Sequence, residues 1–183
     1  MPSLRFSMLL LFTALAGCST MRIRTEYDPS APFARYRTYA WIAAAPGPEQ
    51  ATPIRNPQIR ARVVAALDRE MAAKGLTRTS IEAGPDFLVS VLGWAKTRID
   101  VTNYGYAYVP VYAYGPGPVR AVPVTQVRQY ADGTLLLDFV DAKTMKLFWR
   151  GTASDTITTA EDVRRGIDEA ASKLVAAYPP KPQ

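Results

Sequence analysis

The sequence predicts an α+β domain, an antiparallel or mixed sheet of about five strands with two helices packed on one face. Two segments, 56–75 and 158–178, repeat apolar residues at helical spacing, and five others carry the aromatic and β-branched content of strands. The order is strand, helix, several strands, helix, which argues against the regular alternation of a parallel α/β fold.

The chain of 183 residues opens on a segment set apart from that domain. Arg5 precedes an apolar run from Phe6 to Ala14, the anatomy of a secretory signal and too short to span a bilayer. Leu15-Ala16-Gly17 then places small residues directly before Cys18, the only cysteine. That pattern resembles the lipobox of bacterial lipoproteins. It implies a signal peptide over 1–17, cleavage before Cys18, a diacylglycerol on the thiol, and a fatty acyl group such as palmitate on the new amino terminus. Membrane lipid is then the first expected partner, since two or three chains hold a protein where one binds marginally. Ser19, rather than Asp, follows the cysteine and directs the expectation to the outer membrane, inner leaflet, facing the periplasm. Residues 18–24 read as a lipidated tether, and 25–183 as a single domain.

Within the domain, Tyr27-Asp28-Pro29-Ser30-Ala31-Pro32-Phe33 is rich in turn formers, and Tyr36 to Trp41 follows as a strand. Pro46 to Pro53 reads as a loop. Asn56-Pro57 supplies an N-cap with proline at the first helical position, Ile59, Val63, Leu67 and Met71 share one face, and Gly75 can end the helix. Phe87 to Leu92 is apolar at nearly every position, as in a strand covered on both sides. Beyond Gly93, alternation of Lys96, Arg98 and Asp100 with Thr97, Ile99 and Val101 predicts that the strand continues with one face in water. Val124 to Tyr130, Thr134 to Asp141 and Leu147 to Ser154 read as three more strands, with turns at Ala131-Asp132-Gly133 and at 141–146. Thr158 and Glu161 fit a capping box for the last helix, whose stripe is Val163, Ile167, Ala170, Ala171, Leu174 and Tyr178 before Pro179 and Pro180.

Composition narrows the chemistry. Histidine is absent, which removes the commonest general base and metal ligand, and lipidation of Cys18 would remove thiol chemistry. No serine–lysine dyad, nucleophile elbow or phosphate loop is present. Asp138 and Asp141, three apart in a strand, fall on opposite faces and cannot flank one substrate as glycosidase acids do, while Asp132 reads as turn chemistry. We expect no catalytic residues, no metal site and no cofactor. The formal charge of +6 is dispersed, without the basic block of a nucleic-acid arm, so no nucleic acid is expected.

The stretch 103–123 is unlike the rest. Tyr104, Tyr106, Tyr108, Tyr112 and Tyr114 are interleaved with Gly105, Gly115, Gly117, Pro110, Pro116 and Pro118. An extended backbone would set alternate rings on one face, where tyrosine could stack on peptidoglycan sugars or lie against an envelope protein. The other reading is a hairpin extension with no ligand.

The segments at 27–33 and 36–41, Gly133-Thr134-Leu135 and Leu147-Phe148-Trp149-Arg150-Gly151-Thr152-Ala153 together resemble a bacterial lipoprotein family known as domain of unknown function 4136. The likeness runs from about Arg24 to Pro180, and Pro32-Phe33 stands where most members have Asp-Phe. It implies an envelope lipoprotein and brings no catalytic residues. The sequence therefore predicts a non-enzymatic binding or scaffolding domain, the alternative being a cell-wall hydrolase that uses carboxylates without a local signature.

Overall fold

A computed structural model describes residues 20–43, 51–110 and 119–180. The elements are β1 (Arg22–Tyr27), β2 (Thr38–Trp41), β3 (Thr52–Pro53), α1 (Pro57–Ala73), β4 (Thr77–Arg78), β5 (Phe87–Pro110), β6 (Val119–Asp141), β7 (Leu147–Ile157) and α2 (Ala160–Ala176). One mixed sheet of seven strands runs β1-β7-β6-β5-β2-β4, with β3 beside β5. Strand β2 is parallel to β4 and β5, and the other pairs are antiparallel. The α+β class and the two helices on one face agree with the sequence.

The strand count exceeds five for physical reasons. β3 and β4 are two residues long and carry no period to read. β1 takes in residues 22–24, which the sequence reading gave to the tether, because Arg22 to Tyr27 pair with Ser154 to Trp149 along an otherwise open edge. Ala131-Asp132-Gly133 is no turn: it lies inside β6, with Gly133 between Ala95 of β5 and Asp155 of β7. A side chain there would collide with Ile157, whose Cδ1 lies 2.2 Å from where a Cβ would sit. The glycine therefore serves packing across the sheet.

Both helices start as sequence chemistry dictates. The Asn56 side chain accepts from the backbone N–H groups of Gln58 and Ile59, and Gly75 follows α1 with φ +79°. In α2 the capping box is shifted by one residue, to Thr159 and Asp162. The Asp162 carboxylate accepts from the hydroxyl and backbone N–H of Thr158 and from the backbone N–H of Thr159, and this set of hydrogen bonds, the Thr158 hydroxyl first, holds it far below the usual range. Val63, Leu67 and Met71 of α1 and Ile167, Ala171 and Leu174 of α2 bury against Phe87, Val89, Val91, Leu137, Phe139 and Trp149. Each fully buried large side chain of this set contributes roughly 1.5–3 kcal/mol relative to exposure.

β5 and β6 outrun the sheet. β7 leaves β6 at Ala131 and β3 leaves β5 at Gly93, yet β5 and β6 stay paired from Phe87 and Asp141 out to Pro110 and Val119. The result is a two-stranded ribbon that projects beyond the sheet, and over residues 95–103 and 123–129 both its faces lie in water, where the sequence predicted one.

Candidate functional site

Where α1 and α2 begin, the helix layer and the sheet separate around a groove of about 300 Å³. Ile59 and Val63 come from the first turns of α1, Val163, Ile167 and Ala170 from α2, Leu135 and Ala153 from the sheet, and Met21 and Ile54 close the sides. Polar groups stand among the lining as Thr52, Arg55, Asp155 and Asp162. Three glycines shape the space. Gly93 and Gly133 give flat strand surface on which Ile54 and Ile157 lie. Gly166, inside α2, has nothing within 4 Å of the position a Cβ would take. Glycine within a helix costs about 1 kcal/mol relative to alanine. At Gly166 neither a neighbouring atom nor a positive φ calls for it. What its missing side chain does is leave the groove open. A volume at the lower end of ligand pockets, with apolar walls, suits part of one unbranched hydrocarbon chain.

The ribbon is the second feature. Ile99 and Val101 are 66% and 59% exposed, and Val127, opposite Val101, is 63% exposed, so one face carries an apolar row in water. The other face pairs unlike charges across the strands, Lys96 with Asp132 and Asp100 with Arg128, and Arg98 donates to Asp132. Beyond Gly93 the outer edge of β5 pairs with no strand among the described residues. It has no proline before Pro110.

The predicted site residues are distributed unevenly. Cys18, Tyr112 and Tyr114 lie outside the described residues. Tyr104, Tyr106 and Tyr108 belong to β5, but a bulge between Asn103 and Tyr106 interrupts the register, so the backbone does not carry the three in one unbroken alternation. Tyr106 and Tyr108 pair with Pro123 and Ala121.

The carboxylates weighed for catalysis each have a structural partner. Asp138 is fully buried on the face away from the helices and takes two 2.7 Å hydrogen bonds from Arg150, which raise the guanidinium pKa further. Asp141, on the helix side, accepts from Tyr36 Oη and from the backbone N–H groups of Lys143 and Thr144. Burial alone would raise its pKa, but these donors hold it below the ordinary value of 3.8. Burial and the same bond push the Tyr36 hydroxyl up to about 12. Asp68 of α1 takes hydrogen bonds from Tyr39 Oη, Trp41 Nε1 and Arg78 and so ties the helix to β2 and β4. Among the described residues, no group of three His, Cys, Asp or Glu side chains could hold a metal ion. No described helix is long and apolar enough to cross a membrane.

The groove escaped the sequence reading because a void has no residue pattern. The signal that could have found it was Gly166, a glycine in the middle of a predicted helix.

Fold and groove together define an α+β domain with a mixed sheet, one helical layer and an extended β-ribbon. The model of the family described as Domain of unknown function (DUF4136) matches residues 23–180, and the chain belongs to that family. A DUF4136 family protein from Bacteroides thetaiotaomicron is similar in structure, with a TM-score of 0.53 and 13% identity over 88% of this chain and 97% of that one. A PDZ domain protein from Parabacteroides distasonis gives 0.55 and 13% over 88% of this chain, which spans 36% of that longer protein. PelC from Paraburkholderia phytofirmans, described as a dodecamer, gives 0.43 at 11% identity over 85% of this chain and 92% of that one. At these identities the likeness concerns the fold. No curated protein matches the chain in sequence.

Proposed function

We propose that this chain is a non-enzymatic lipoprotein of the bacterial cell envelope, anchored through acylated Cys18 at the periplasmic face of the outer membrane. Its ribbon binds an envelope protein by lending the open edge of β5. The observation that carries this reading is the ribbon itself, whose apolar row at Ile99, Val101 and Val127 lies beside an unpaired edge. Such an edge recruits a partner strand through backbone hydrogen bonds, with side chains giving specificity. The occupied carboxylates support binding rather than catalysis. Geometry also favours a partner near the membrane. Arg22 pairs with Ser154 at the end of the sheet from which the ribbon leaves, so anchor and ribbon share one end.

The test places a photocrosslinking residue at Val101 of the full chain in cells. The expected result is a discrete protein adduct in the outer-membrane fraction, lost on Val127→Lys and absent when the crosslinker replaces Ile81, an exposed residue far from the ribbon in sequence. Retention of the full chain on purified peptidoglycan sacculi, lost with the same substitution, would make the wall the partner instead. A soluble, unacylated chain would remove the anchor, and turnover of wall fragments lost with one Asp or Glu substitution would make it an enzyme.

A further inference from the structure

The groove lies beside the point at which the anchored end joins the domain. Met21 forms part of its wall. One residue earlier, Thr20 Oγ1 donates to Asp155 Oδ1 at 2.9 Å, and Asp155 lines the same groove. Cys18 is two residues before Thr20, and two residues of chain reach no further than about 7 Å from Cα to Cα. A hydrocarbon chain attached to that cysteine starts next to an apolar space whose volume fits part of one chain and not a diacylglycerol pair.

From this juxtaposition we propose that the groove houses one acyl chain of the protein's own lipidated amino terminus, a proposal that rests on acylation at Cys18. Three features support this occupant. The walls are mostly aliphatic, with Thr52, Arg55, Asp155 and Asp162 as the polar exceptions, the open side of α2 at Gly166 has no side chain to fill the space, and the tether is too short to carry the lipid far from Met21. Arg55 stands among the lining without an ion pair among the described residues, a place for the ester or headgroup oxygens of a chain entering from the membrane. The remaining acyl chains stay in the bilayer, so the domain is pinned against its anchor rather than swinging on it.

The test feeds cells that produce the full chain with a palmitic acid analogue carrying a diazirine near its terminal methyl. After irradiation, the protein is digested and its crosslinked peptides are read by mass spectrometry. Label on the Cys18 peptide reports acylation, and its absence means that the anchor reading has failed, taking this proposal with it. With label present, the expected result is an intramolecular crosslink from the Cys18 peptide to 57–63 or 163–170, lost in Gly166→Leu while the label remains. Label on Cys18 with crosslinks only to lipid or to other proteins would overturn the groove assignment. Crosslinks to the groove from analogue not attached to Cys18 would make a free membrane lipid the occupant and overturn the present one. The wild-type map decides the matter even if the leucine variant fails to fold.

Discussion

At one end of the helix–sheet layer, where α2 finishes, Phe33, Tyr36, Phe87, Phe139, Phe148, Trp149 and Tyr178 fill the space ring against ring. Phe139 stacks on Trp149 at 4.8 Å and meets the edge of Tyr178 at 4.9 Å, while Tyr36 stacks on Phe148 at 4.3 Å. At the other end, where both helices start, the facing residues are mostly glycine, alanine and branched aliphatics, and the same two layers leave a groove. A glycine sits at each end and has opposite meaning. At Gly151 a Cβ would lie 2.4 Å from the Trp149 ring and 2.8 Å from Leu174, whereas at Gly166 it would meet nothing. One end is packed to the limit and the other leaves space between the same two layers.

Substitutions can break this contrast. Phe139→Ala removes the ring that joins four others, Phe87, Phe148, Trp149 and Tyr178, and is expected to cost about 3–5 kcal/mol in urea unfolding. Gly151→Ala forces the indole or Leu174 to move and is expected to cost about 1–3 kcal/mol by the same measurement. Gly166→Ala reverses the sign, with a gain of about 1 kcal/mol from helix propensity. A loss there comparable to that at Gly151 would mean that the groove end is as tightly packed as the other.

Smaller effects sharpen the picture of the aromatic end. Among the described residues, the buried Tyr178 hydroxyl and Trp149 indole N–H have no hydrogen-bond partner, so Tyr178→Phe is expected to be neutral or to gain up to about 1 kcal/mol. Tyr36→Phe, by contrast, takes a donor from Asp141 and is expected to destabilise. Acid gives the last test. A carboxyl whose folded pKa is depressed, as for Asp86 and Asp141, adds stability that is present above the unfolded value near 3.8 and is lost as pH falls through the lower folded value. Wild type should therefore lose melting temperature more steeply than Asp141→Asn on acidification below about pH 4.

The helices were legible because caps and apolar spacing are local. Asn56-Pro57, Gly75 and the stripe from Val63 to Met71 all stand as the sequence predicted. β6 was divided because Asp132-Gly133 has the chemistry of a turn, and only the neighbouring strand shows that Gly133 makes room for Ile157. The capping box moved by one residue because Thr158 and Thr159 can each donate to an acid in the first turn. The ribbon was visible as a compositional anomaly, but its exposed apolar row depended on where β7 and β3 leave off, which is a property of the sheet.

The shared exit of the amino terminus and the ribbon has a consequence for how a tethered domain meets its partner. From Arg98 to Pro110 an extended strand spans about 40 Å at about 3.3 Å per residue. On the anchored reading proposed above, a probe of that length rooted at the tethered end stays within about 40 Å of the anchored end of the domain and so close to the bilayer. Encounter then becomes a search in two dimensions, governed by how densely the membrane is populated and little affected by what diffuses freely beyond it.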